Sequence, residues 1–472
     1  MLYNLRRMFL KQKIKNKKNT NFKKGVSLIE ALVLIFVFSV SSLAFYSVFS
    51  VGVQYITNSK NKVIAVSLVN KRMELLRNIS YDDAAIIGGI PNGNIDPDEY
   101  VTVGDKTFHL ITDIRYHDDA DDGIFGGSPN DTVPNDYKMA SVTAYWGAES
   151  DKEKATLSSR FVPAGVETTA GGGTLSLNAI DFSGSPVPNV SVNVFNDQVS
   201  PTVDYNTQTD ANGNLLLQGV PTDTDQNYQL TFSKSSYETV ITYSPIAAGF
   251  IPEYTHIAII EGALNEKTMR IDLLSDLSIE SIDSFGDDVG DADFDLIGGR
   301  RLDDGTVPPG EYNYNDSHST DSNGDFSVDD ISPGEYTISI AGDTSTDYEF
   351  WKVNPGTDSD SEIFNLSPGV DLTTQLILMD KLVDSVFVKV TDSVNNAPIE
   401  GATVQLKNEI LGYDVELSSD KYGNVYFPET LSTPLQNGQS YELNISATDY
   451  QNNTTDVIVN NLVISDVNLI AT

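Results

Sequence analysis

Hydrophobic positions follow three successive patterns along this 472-residue chain. Residues 26–56 are almost continuously apolar, and no charged residue stands between Ala31 and Ser59. That run is long enough for a membrane-spanning helix. Beyond Tyr55, the charged residues Lys60, Lys62, Lys71, Arg72, Glu74 and Arg77 interleave with Val63, Ile64, Leu68, Met73, Leu75 and Leu76 in an amphipathic helical pattern. No proline interrupts residues 26–90. The two patterns therefore predict one helix over about 26–78, roughly 80 Å long at ~1.5 Å per residue, with Gly52 as a candidate soft point or packing residue.

Period-2 alternation replaces the helical pattern after residue 80. The stretches YVTV and TFHLITDIRY, separated by Gly104-Asp105, read as a hairpin, and Tyr137–Gly147 reads as a further strand. A helix followed by a small antiparallel sheet is an α+β arrangement. Between these strands lies an acidic loop holding Asp118, Asp119, Asp121, Asp122, Asp131 and Asp136. Clustered carboxylates suit a hard cation, so Asp118, Asp119, Asp121 and Asp122 are a candidate calcium site, although their spacing is not that of an EF-hand; a solvated, turn-rich loop explains the same composition. A Gly-rich joint, Thr168 to Thr174, follows and is expected to flex.

From Thr174 onward one theme recurs three times. An alternating strand, a Pro-containing entry, a D-x-x-G turn and a closing strand read LSLNAID, SGSPVPNVSVNVF, TQTDANGNLLLQGVP and NYQLTFSKSSYETV in the first copy. The third copy repeats the order, and the middle one is divergent at its start. Asp210, Asp321 and Asp420 align, each followed by Gly213, Gly324 or Gly423, at spacings of 111 and 99 residues. Repeats of that length are whole domains. Apolar positions two apart supply the inner faces of two-sheet sandwiches. Each turn Asp is expected to cap its own backbone, and Pro188, Pro308 and Pro398 to mark loop-to-strand entries.

Charge sets the compartment and narrows the partners. The chain carries 30 Lys+Arg against 67 Asp+Glu, for a net charge of −37. Nine of the cations, and none of the anions, fall within residues 1–25. A cationic leader stays cytoplasmic, so the rest of a single-pass chain goes outside. The strongly anionic body repels phosphate backbones, which argues against direct nucleic-acid binding. There is no Cys, so stability comes from packing rather than disulfides. The four histidines (His109, His117, His256, His318) form no zinc-ligand motif, and neither a G-x-S-x-G elbow nor a phosphate loop occurs. No enzymatic activity is expected.

Glu30 is the one carboxylate inside the apolar run, and an ionisable group there is read first as functional. The basic leader, Gly25, the apolar Val26 and Glu30 five positions into the run together resemble the cleavage and methylation motif of type IV prepilins. That resemblance implies a cut between Gly25 and Val26 by a membrane-embedded prepilin peptidase, methylation of the new N-terminus, and an assembly role for Glu30 opposite the amino group of Val26 on a neighbouring subunit. Val26 departs from the Phe most usual at that position. The repeats over roughly 174–472 resemble carboxypeptidase-regulatory-like and Cna-B-like β-sandwiches. Some Cna-B-like domains cross-link a Lys to an Asn or Asp, and Lys389 with Asn444 would be the pair to inspect here.

The sequence thus predicts a leader (1–25), a pilin helix (26–79), a pilin head (80–167), a Gly-rich linker (168–173) and three Ig-like or prealbumin-like sandwiches (174–275, 276–382, 383–472). The resemblance implies a large minor type IV pilin or pilin-like surface subunit, anchored in the membrane and then carried into a pilus. Its partners would be the prepilin peptidase, other pilin subunits and the inner-membrane assembly machinery, with an adhesion target such as a surface or glycan ligand left open. The alternatives are a pseudopilin of a type II secretion or DNA-uptake system and an uncleaved membrane-anchored binding protein.

Overall fold

The computed structural model describes residues 27–119, 123–125, 130–131, 136–147, 153–163, 172–246, 248–306, 308, 310–358 and 360–472. They form one long N-terminal helix, a small sheet and tandem β-sandwiches, an α+β architecture. Contacts divide the chain into two units. One holds the helix up to Lys71 with segments 100–110 and 143–156; the other holds 72–99, 111–142 and the residues from 157 onward.

The helix runs Leu28–Arg77, 50 residues without a break. Its surface changes character along its length. Every large apolar side chain from Leu28 to Ile56 is 46–81 % exposed, whereas Asn61, Ala65, Val69, Met73 and Leu76 are buried. Their spacing of three or four residues is one helical stripe. The purely apolar half therefore has no partner among the described residues, and the amphipathic half packs.

The head sheet follows the order Asp98–Val103, Lys106–His117, Tyr137–Tyr145, Lys154–Phe161; the last strand was not foreseen from sequence. Phe108, Leu110, Thr112 and Ile114 alternate inward, as do Ala140, Val142 and Ala144. Lys138 is 1 % exposed. Its ammonium donates to the carbonyl of Tyr81 (2.8 Å) and lies 4.6 Å from the Tyr81 ring and 5.3 Å from that of Tyr116. Burial lowers its pKa to about 8, against a partial pull from Asp82 and Asp83. The unfolded lysine titrates near ~10.4, so between these values the unfolded chain binds more protons and stability rises with pH. Wild-type protein should gain about 1.4 kcal/mol per pH unit relative to Lys138→Met from pH 8 to 10, measured by denaturant titration; a flat difference would show the ammonium is not desolvated as described.

Each sandwich has the same plan. Its first strand pairs antiparallel with the strand after the D-x-x-G turn and parallel with its last strand: Gly173–Ile180 with Asn214–Val220 and Leu264–Arg270, Ser275–Asp283 with Asp325–Ile331 and Leu372–Asp380, and Ser385–Asp392 with Asn424–Phe427 and Leu462–Leu469. The facing sheets are centred on Ser191–Asn196, Asp293–Arg301 and Thr403–Asn408. Three separate cores result, around Leu177, Val192 and Phe232, around Ile279, Phe294 and Tyr336, and around Val388, Val404 and Leu443.

The turns show why the D-x-x-G spacing recurs. Asp210 Oδ1 accepts the backbone N–H of Asn212 and Asn214 (2.8 and 2.9 Å); Asp321 does the same with Asn323 and Asp325, and Asp420 with Tyr422 and Asn424. Gly213, Gly324 and Gly423 all have positive φ, of 75°, 83° and 75°. A Cβ there would lie 2.3–2.6 Å from the carbonyl oxygen of Ala179, Ser281 or Val390, so only glycine fits. The hydroxyl preceding each Asp was missed from sequence. Thr209, Thr320 and Ser419 are buried and accept the N–H of Val190, Ala292 and Ala402, fixing the turn to the facing sheet.

Two expectations change. The bridges Ile180↔Pro186, Ile282↔Asp288 and Thr391↔Pro398 correspond, so the position matching Pro398 is Pro186 rather than Pro188 in the first copy and Asp288 in the second; Pro308 instead lies between Asp293–Arg301 and Tyr312–Ser319. The joint at 168–174 lies mostly outside the described residues, but Gly172 is packed, because a Cβ on it would sit 2.2 Å from the Val220 carbonyl. The head is also tied to the first sandwich away from that joint. Gly88 O accepts the Asp204 N–H (3.0 Å), the Asn92 amide donates to Pro201 O, and Ile90 joins the sandwich core.

Candidate functional site

The N-terminal end of the helix is the candidate. Ser27 caps it: its Oγ accepts the Glu30 N–H (3.1 Å) and its carbonyl the Ala31 N–H (3.0 Å). Serine is a favoured cap because its short side chain satisfies an otherwise unpaired amide. Glu30 then falls at the third helical position, the S-x-x-E spacing of a capping box, where the helix dipole favours an anion. Its side chain is exposed. Around it, Leu28, Ile29, Leu32, Val33 and Leu34 are also exposed. The arrangement presents one carboxylate on an apolar surface. It can bind a cationic group. Gly25 and Val26 lie outside the described residues.

The other candidate residues are engaged locally. Asp119 Oδ2 pairs with Arg160 (2.9 Å), and the Asp119 N–H donates to Asp136 Oδ2. Asp121 and Asp122 fall outside the described residues, and among the described residues no group of three or more His, Asp or Glu is placed to hold a metal ion. Lys389 is exposed on Ser385–Asp392, whereas Asn444 lies in the other sheet and bonds Glu442 Oε1 (2.7 Å) and Thr454 (2.7 Å). No cross-link geometry joins them.

Sequence reasoning missed the contacts between sandwiches. Arg300 and Glu238 are 4 % and 2 % exposed and form a two-point ion pair joining the second sandwich to the first. Between the second and third, Trp351 stacks on Tyr426 (5.4 Å) and meets Phe387 edge-on (6.0 Å), and Lys352 pairs with the turn residue Asp420 (2.9 Å). The signals available were three Arg and one Trp in otherwise acidic, Tyr-rich repeats.

No family model matches the chain, and no curated protein matches it. Among solved structures it is similar to the Bacillus anthracis TIE protein, with 12 % identity, 80 % of this chain and 73 % of that one covered, and a TM-score of 0.20. It is also similar to a streptococcal ancillary pilin (13 %; 64 % and 99 %; 0.18) and to GBS52, the minor pilin of Streptococcus agalactiae (11 %; 44 % and 96 %; 0.22). Overlaps at these TM-scores assign neither family nor function.

Proposed function

We propose that this chain is a pilin-like surface subunit of the type IV class, inserted through its N-terminal helix and projecting its sandwiches for contact with a surface or partner. The observation that carries this reading is the helix itself: an apolar, exposed half long enough to cross a membrane, with a single carboxylate in its first turn, continuing into a half that buries one stripe. Exposed apolar surface of that size requires lipid or other helices, and one carboxylate within it requires a cation.

In this reading the prepilin peptidase cuts between Gly25 and Val26, and other pilin helices and the inner-membrane assembly machinery are the partners. The helix is then first a single-pass anchor with a cytoplasmic leader and later the core element of a filament. The subunit performs no reaction of its own.

Mass spectrometry of the N-terminal peptide from protein isolated in its native envelope tests this. The expected peptide starts at methylated Val26. Replacing Gly25 with a bulky residue should leave the leader attached, with its nine cations, and raise the mass accordingly. An intact leader on the wild-type chain would overturn the type IV assignment.

A further inference from the structure

The outer face of the first sandwich carries a groove of about 520 Å³ that includes Arg115 of the head. Two cross-strand rows form its floor. Ser191 stands opposite Gln208 and Ser233, and Asn193 opposite Asn206 and Thr231. Cross-strand neighbours lie ~4.8 Å apart and alternate residues along a strand ~7 Å apart, so six uncharged hydrogen-bonding side chains make a flat lattice. Such a lattice is unusual for this chain, in which anions outnumber cations by more than two to one.

The other two copies serve as internal controls. In the second sandwich the corresponding positions hold Asp293 and Asp295, which accept the hydroxyls of Ser319 and Ser317 and so are already engaged. In the third, Thr403, Ser418 and Ser446 are uncharged, but the next row carries Glu416 where the first copy has Asn206. In the first, Asn193 Nδ2 donates to Asn206 (3.1 Å) and to Asp204 at the edge of the lattice (2.7 Å), whereas the hydroxyls of Ser191, Thr231 and Ser233 and the Gln208 amide have no side-chain partner among the described residues. Arg115 is neutralised by Asp113 (2.9 Å) and held 5.6 Å over the Tyr205 ring, so it adds directed N–H donors at the rim without net positive charge.

We infer that this groove binds an uncharged glycan chain. Amides and hydroxyls both donate and accept, as sugar hydroxyls do. The groove lacks the net cation an acidic glycan needs, and the charge of the whole chain repels one. The inference does not depend on how the protein is anchored or processed.

The test is binding of the full chain, held in a detergent without a sugar headgroup, to an array of neutral and acidic oligosaccharides, followed by titration with the best neutral binder. Asn206→Asp with Thr231→Asp places two carboxylates in the groove, one exposed and one half-buried, and should weaken binding about tenfold or more. Gln405→Asp on the third sandwich should leave it unchanged. Thermal melting of each variant separates loss of the site from loss of the fold. Absence of any neutral glycan binding, binding confined to acidic glycans, or undiminished binding by the folded double variant would each overturn the assignment.

Discussion

Glu30→Ala should be processed normally yet be absent from filaments. The carboxylate is presented on a helix among the exposed apolar side chains of Leu28, Ile29, Leu32, Val33 and Leu34, and the nearest charged residue toward the C-terminus is Lys60. Once that surface is covered by lipid or other helices, an unpaired carboxylate costs several kcal/mol. A cation supplied by a neighbour offsets the cost, and under the proposed function the amino group that cleavage would free at Val26 is the candidate. The pair would set the axial register of adjacent helices. Removing Glu30 removes the register while leaving the scissile bond intact. Sheared filaments, probed by immunoblot against whole-cell protein, give the readout. Because Glu30 also sits where a capping-box residue would, Ser27→Ala is the control: it loses the cap, worth ~1 kcal/mol, and should still assemble. Normal incorporation of Glu30→Ala, or equal loss in both variants, would remove the register role.

Much of this architecture was readable because it rests on local rules. The helix was visible from the uninterrupted apolar run and the following amphipathic period, and its observed span of Leu28–Arg77 is nearly the expected one. The turns at Asp210, Asp321 and Asp420 were visible because an Asx turn closed by a positive-φ glycine depends on four consecutive residues. The fourth head strand, Lys154–Phe161, escaped because its partner is chosen by the sheet rather than by its own composition. The hydroxyls of Thr209, Thr320 and Ser419 escaped for a related reason, since their partners are 17–28 residues away. Contacts between sandwiches were the least legible. Nothing around Trp351 in sequence distinguishes a core aromatic from one that stacks on Tyr426 of the next domain, and the lattice of Ser191, Asn193, Asn206, Gln208, Thr231 and Ser233 emerges only when three strands are placed in register.

The buried ion cluster leads to the second large effect. Glu238 and Asp272 bring two carboxylates, Arg300 and Arg270 two guanidinium groups. Arg300 Nε donates to Glu238 Oε2 (2.9 Å) and its Nη2 to the Arg270 carbonyl (3.0 Å). Asp272 accepts the Phe182 N–H (2.6 Å) and pairs with Arg270 (3.1 Å). Burial, and then the nearby Glu238 charge, raise the Asp272 pKa; the Phe182 N–H, Arg270 and Arg300 hold it down. Arg300→Met would strand the buried Glu238 carboxylate, while Asp272 keeps Arg270 (3.1 Å), a defect worth about 3–5 kcal/mol. The first and second sandwiches should then melt separately in calorimetry, whereas the wild type should give a shared transition. A raised carboxyl pKa means the folded state binds the proton more tightly, so the variant should regain stability as pH falls through that raised value. Pairing Arg300→Met with Glu238→Leu should restore most of the loss, because removing both partners leaves no unmatched charge between them. Independent melting of the two sandwiches in the wild type, or equal damage from the single and double variants, would show that packing alone joins these domains.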